Sequence, residues 1–64
     1  MKKIVIFKPE GLGFAAYIGK IKVAYISKNG SVCWEEKYIN KVSLENSVKI
    51  QHYAAGIAFY ASSN

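Results

Sequence analysis

The chain of 64 residues contains no arginine, no aspartate and no threonine, and it has one cysteine, one histidine and one proline. A single Cys33 excludes an internal disulfide, and together with the lone His52 it leaves no ligand set for a structural zinc site. Without aspartate, a carboxylate site would have to come from Glu10, Glu35, Glu36 and Glu45. Glu35 and Glu36 are neighbours on an expected strand, so their side chains point to opposite faces and cannot act as a pair. A Cys33–His52 nucleophilic pair would need contacts around the fold or from a second copy. The absence of arginine removes the bidentate fork that reads guanine edges, which argues against sequence-specific recognition. No run approaches the ~18 apolar residues of a membrane span, and residues 4–7 are too short an apolar stretch for a signal peptide, so a cytoplasmic protein is expected. The length allows one domain over residues 1–64 and leaves no room for a cofactor-binding domain beside a substrate cleft. No catalytic residue, metal or cofactor is expected; a nickase built on His52 or the glutamates is a distant third reading.

What is there points to a folded binding protein. Apolar residues make up 52% of the chain and aromatic ones 14%, too much for a disordered tail. Nine lysines against four glutamates give a net charge of +5, which favours phosphate or acidic partners, although lysine without arginine also fits an AT-rich coding sequence. A domain this small with no covalent or metal staple often gains stability from a second copy, so a homodimer or higher oligomer is expected.

The pattern of elements is that of an α+β fold. Residues 4–8 form a β-branched run that Pro9 stops, Gly11-Leu12-Gly13 supplies a bend, and residues 14–18 read as a second strand before Gly19. Lys28-Asn29-Gly30-Ser31 is the strongest local signal, a two-residue turn with both central residues at positive φ joining strands 21–27 and 32–39. That turn sets Tyr25 opposite Trp34, Val23 opposite Glu36 and Ile21 opposite Tyr38 on an apolar face. The opposite face then carries Ala24, Ile26, Cys33 and Glu35 together with Lys20, Lys22, Lys28 and Lys37, a lysine array suited to a phosphate backbone. Residues 41–44 suit a short edge strand. A helix follows from Glu45 or Asn46 to about residue 61, with Ser43 or Asn46 as N-cap. Ile50, Tyr53, Ala54, Ile57, Ala58 and Ala61 form its core stripe. Val48, Ala55 and Phe59, with His52 between them, form a second stripe that a monomer of this size cannot bury, which makes them candidates for an oligomer or partner interface. The expected architecture is an antiparallel sheet of about four strands followed by one C-terminal helix packed on one face.

The order of these elements and three local motifs carry a resemblance. Ile18-Gly19-Lys20-Ile21-Lys22, then Asn29-Gly30-Ser31-Val32, then Val42-Ser43-Leu44 with Asn46 leading into the helix resemble the positive-cofactor-four family of transcriptional coactivators over residues 18–55. The resemblance implies a homodimer that binds single-stranded nucleic acid on its sheets with little sequence preference. It carries over Lys20 and Lys37 as basic positions. Ser31 departs from a lysine of the family, and Lys28 and Asn40 fall where the family has stacking aromatics. Similar domains occur in phage proteins that act on host or defence machinery.

Two functions therefore follow. The first is a non-catalytic homodimer that lays its lysine-rich sheet face on single-stranded DNA or RNA. The alternative is a small phage or mobile-element inhibitor that works by protein contact through Val48, Phe59 and their surroundings.

Overall fold

The computed structural model describes residues 4–62. Four strands form an antiparallel meander in chain order, β1 (Val5–Glu10), β2 (Gly13–Ile18), β3 (Ile21–Ile26) and β4 (Val32–Trp34), and one helix, α1 (Leu44–Ser62), packs on one face of the sheet. This is the α+β class expected from the sequence. The β1–β2 and β2–β3 turns are two residues long and place Gly11 (φ 59°) and Gly19 (φ 66°) first, where a tight hairpin needs positive φ. Strand β1 does not stop at Pro9 as expected but continues through it to Glu10. It is an edge strand, and on an edge a missing N–H need not interrupt a ladder.

The hairpin between β3 and β4 forms, but not with the expected turn. Only Gly30 has positive φ, 87°, and no non-glycine residue does, so Asn29 is not left-handed. The Ser27 N–H donates to the Ser31 carbonyl at 2.9 Å and the Gly30 N–H to the Ser27 carbonyl at 3.0 Å, so Lys28-Asn29-Gly30 is a three-residue loop. The Ser27 hydroxyl accepts from the N–H groups of Asn29 (3.2 Å) and Ser31 (3.1 Å) and holds the loop together. The extra loop residue slips the register by one: Tyr25 lies opposite Cys33 instead of Trp34, and Ile26 opposite Val32. Such a slip exchanges the faces of one strand relative to the other. Val32 and Trp34 face the helix as expected, but their companions there are Ala24 and Ile26, expected on the opposite face, while Tyr25, expected in the core, shares the open face with exposed Cys33.

A second irregularity sets the position of Lys22. Ala16 pairs with Ala24 but Tyr17 pairs with Lys22, so Val23 is an extra residue in β3. Strict alternation from Ala24 and Ile26 would send Lys22 into the core. The bulge turns Val23 inward, where it is 3% exposed, and Lys22 outward.

The core is built from Ala16, Val23, Ala24 and Ile26 of the sheet and Ile50 and Ala54 of the helix. Alanines on both sides bring helix and sheet close together. Tyr53 closes one side of this core, stacked on Phe7 with ring centroids 3.9 Å apart and meeting Phe14 edge-on at 5.4 Å. Strand β4 ends at Trp34, so Lys37 and Ile39 are not on a strand, and turns fill the chain to the helix. No edge strand forms at residues 41–44. Ser43 instead caps α1, its hydroxyl accepting from the Asn46 N–H at 3.2 Å and its carbonyl from the Ser47 N–H at 2.9 Å. The core stripe of α1 is as expected at Ile50 and Ala54, which are buried, and at Tyr53, Ile57 and Ala58, which are half-buried; Ala61, expected in the same stripe, is exposed.

Gly56 sits mid-helix, and a Cβ there meets no atom within 4 Å. Gly56→Ala should stabilise the fold by about 1 kcal/mol through helix propensity alone, read as a raised urea midpoint with an unchanged slope.

Candidate functional site

The sheet has one face under the helix and one face open, and the open face is where polar and aromatic side chains gather. Alternation along the strands brings Lys8 and Glu10 of β1, Tyr17 of β2, and Lys22 and Tyr25 of β3 to this side. The Lys8 ammonium stands 5.1 Å from the centre of the Tyr17 ring and the Lys22 ammonium 5.3 Å from that of Tyr25, both within cation–π range. Ala15 lies between these side chains and is fully buried without belonging to the core cluster under the helix. The Tyr25 hydroxyl donates to the Glu10 carbonyl at 3.0 Å, and the Lys22 ammonium donates to a Glu10 carboxylate oxygen at 2.5 Å. That hydrogen bond, aided by the nearby negative charge and opposed by desolvation, holds the Lys22 pKa above its ordinary 10.5. On the Lys22 side, the contribution of this raised pKa to stability is thus complete at neutral pH and is lost as pH rises above 10.5 through the folded-state value. The bonds from Glu10 fix the ring of Tyr25 and the stem of Lys22 before any ligand arrives.

The chain matches no protein-family model, no curated protein and no solved structure. Function is therefore read from the surface itself.

The four lysines expected on one sheet face are not brought together. Lys22 is on the open face, but because of the bulge and not by simple alternation with Lys20 and Lys28. Lys20 lies in the β2–β3 turn and Lys28 in the β3–β4 loop, at opposite ends of β3. Lys37 lies in the turns after β4 instead of opposite Lys22, because β4 is three residues long. Three residues of the open face went unrecognised in the sequence: Lys8, Tyr17 and Tyr25. The signal for Lys8 and Tyr17 was the alternation of β1 and β2, which sets Phe7 and Ala16 inward and their neighbours outward. Tyr25 was hidden by the one-residue register error.

The expected second stripe of α1 does lie at the surface. Phe59 is 76% exposed and Val48 44%, and His52 and Ala55 are exposed beside them. Beside this stripe, on the helix side of the sheet, a groove of about 610 Å³ runs between the C-terminal half of α1 and the β3–β4 loop. Cys33 and His52 fall on opposite sides of the sheet and do not form a nucleophilic pair. Among the described residues no three His, Cys, Asp or Glu side chains come close enough to share a metal ion, and no helix is long and apolar enough to cross a membrane.

Proposed function

We propose that this protein is a non-catalytic binder of single-stranded DNA or RNA, acting as a homodimer, and that the open face of the sheet is its contact surface. The observation that carries this reading is the pairing of each exposed-face tyrosine with a lysine, Lys8 with Tyr17 and Lys22 with Tyr25. Bases stack on aromatic rings regardless of sequence, while ammonium groups track the phosphates, and an open sheet face suits unstacked strands better than the grooves of a duplex. The net charge of +5 adds long-range attraction, and the absence of arginine fits a contact without base-edge readout.

Binding of a fluorescently labelled 20-nucleotide oligo(dT) tests it. Affinity should fall steeply with salt, and Lys8→Ala should lower the slope of log affinity against log salt by about 0.7, the value of one phosphate contact on a single strand, while Lys22→Ala, whose ammonium is already paired with Glu10, should change it less. Tyr17→Ala should weaken binding by about 1–3 kcal/mol on every sequence alike, as the loss of a stacking platform does. An oligonucleotide that shows no anisotropy change at low salt removes this function. A second reading, a small inhibitor acting by protein contact, is favoured by one observation, the exposed Phe59 and Val48 on α1. It predicts that Phe59→Ala abolishes capture of a nuclease-resistant protein partner and leaves oligonucleotide binding unchanged.

A further inference from the structure

The groove on the helix side has a composition of its own, separate from the open sheet face. Phe14, Tyr53 and Tyr60 supply aromatic walls, Ile57 an aliphatic one, and Gly56 leaves a gap in the helix surface where a side chain would otherwise project. Its volume, about 610 Å³, is that of a small-molecule site. Lys28 of the β3–β4 loop and His52 of α1 are its polar rim, and no acidic residue lines it among those described. The loop that carries Lys28 is anchored: Ser27 holds it by two hydrogen bonds, and Gly30 packs on the α1 backbone at Ala54 and Ala58. The Phe14 and Tyr53 rings are likewise fixed, meeting edge-on at 79°.

We propose that this groove is a binding site for a small, flat aromatic monoanion, its rings against Phe14, Tyr53 and Tyr60 and its carboxylate or sulfonate on the Lys28 ammonium. Charge complementarity selects the occupant: a lysine ammonium at the mouth of an aromatic cleft, with no carboxylate side chain among the described lining residues, is matched by one negative charge on an aromatic body. The site goes beyond the nucleic-acid reading and is independent of it, since it lies on the other side of the sheet.

The probe is 8-anilinonaphthalene-1-sulfonate, compared with N-phenyl-1-naphthylamine, which keeps the aromatic body and lacks the charge. The full chain should bind the sulfonate with one site per chain by titration calorimetry, and amide shifts in nitrogen-15 spectra should cluster at Lys28, His52, Gly56 and Ile57. A Cβ at residue 56 meets no atom within 4 Å, so Gly56→Leu projects into the gap; with the helix verified by circular dichroism, it should weaken the sulfonate at least about tenfold. Lys28→Gln should weaken it about fivefold and leave the neutral amine unchanged. Oligo(dT) affinity should not respond to Gly56→Leu, so failure here and failure of the open-face reading are told apart. Equal affinity for the charged and neutral probes, retention of affinity in Gly56→Leu, or shifts centred on Tyr25 and Cys33 would each overturn the proposal. So would a dimer that Gly56→Leu dissociates in sedimentation while the native chain binds no sulfonate, because the groove would then be filled by a second copy.

Discussion

Gly30→Ala will destabilise the protein by about 2–5 kcal/mol, a large share of the roughly 3–10 kcal/mol that a chain of this length has in total. Two separate costs add. The first is conformational, because φ at this position is 87° and a Cβ there strains the backbone by about 1–2 kcal/mol. The second is steric and concerns the whole fold. An added Cβ would stand 2.6 Å from the Ala54 carbonyl oxygen and 2.7 Å from the Ala58 nitrogen, so the helix backbone itself would have to move off the loop, at about 1–3 kcal/mol. Gly30→Asn separates the two. Asparagine tolerates positive φ but brings the same Cβ into the same helix, so it should recover only the conformational part. Urea unfolding of the three proteins measures this directly. An alanine variant within 1 kcal/mol of the native chain would mean that the loop does not touch α1 in solution, and the seat of Lys28 beside the groove would go with it.

The same loop shows how far the sequence could be read. Asn29-Gly30 marks a hairpin whatever its geometry, so the place of the turn and the identity of the flanking strands were legible. The register was not, because the dipeptide serves both a two-residue loop with two left-handed residues and a three-residue loop with glycine alone left-handed, and Ser27 and Ser31 stabilise the latter through contacts that only the closed loop makes. A single residue of difference decides whether Tyr25, or Ala24 and Ile26, share the helix-facing side with Trp34. The bulge at Val23 was hidden for a related reason: no glycine or proline marks it, and its cause is a competition between burying valine and burying Lys22 that is settled only when the sheet meets α1. The helix was legible in both its cap and its buried stripe, because Ser43 and the spacing of Ile50, Tyr53, Ala54 and Ile57 are local properties. The candidate contact surface was the casualty, since it depends on which face every strand residue takes. The expected lysine array dissolved, and a tyrosine–lysine face took its place.

Ile50→Ala and Phe59→Ala make a pair whose difference bears on self-association. Ile50 is 0% exposed at the seam between α1 and the alanine rows of β2 and β3, and alanine neighbours cannot collapse into the space it would leave. Its truncation should cost about 2–5 kcal/mol, near the upper end because the cavity persists. Phe59 is the larger side chain, yet it is 76% exposed, and in an isolated chain its truncation should change stability by less than about 0.5 kcal/mol. In a dimer that buries the Val48, Ala55 and Phe59 stripe, the same truncation removes apolar area at about 25 cal/mol per Å² and makes the melting temperature depend on protein concentration in the native chain but not in the variant. Thermal unfolding of both variants over a hundredfold concentration range therefore reads the core and the interface in one experiment. A native melting temperature that does not move with concentration, together with an inert Phe59→Ala, would leave the chain a monomer and free the outer stripe of α1 for a different protein.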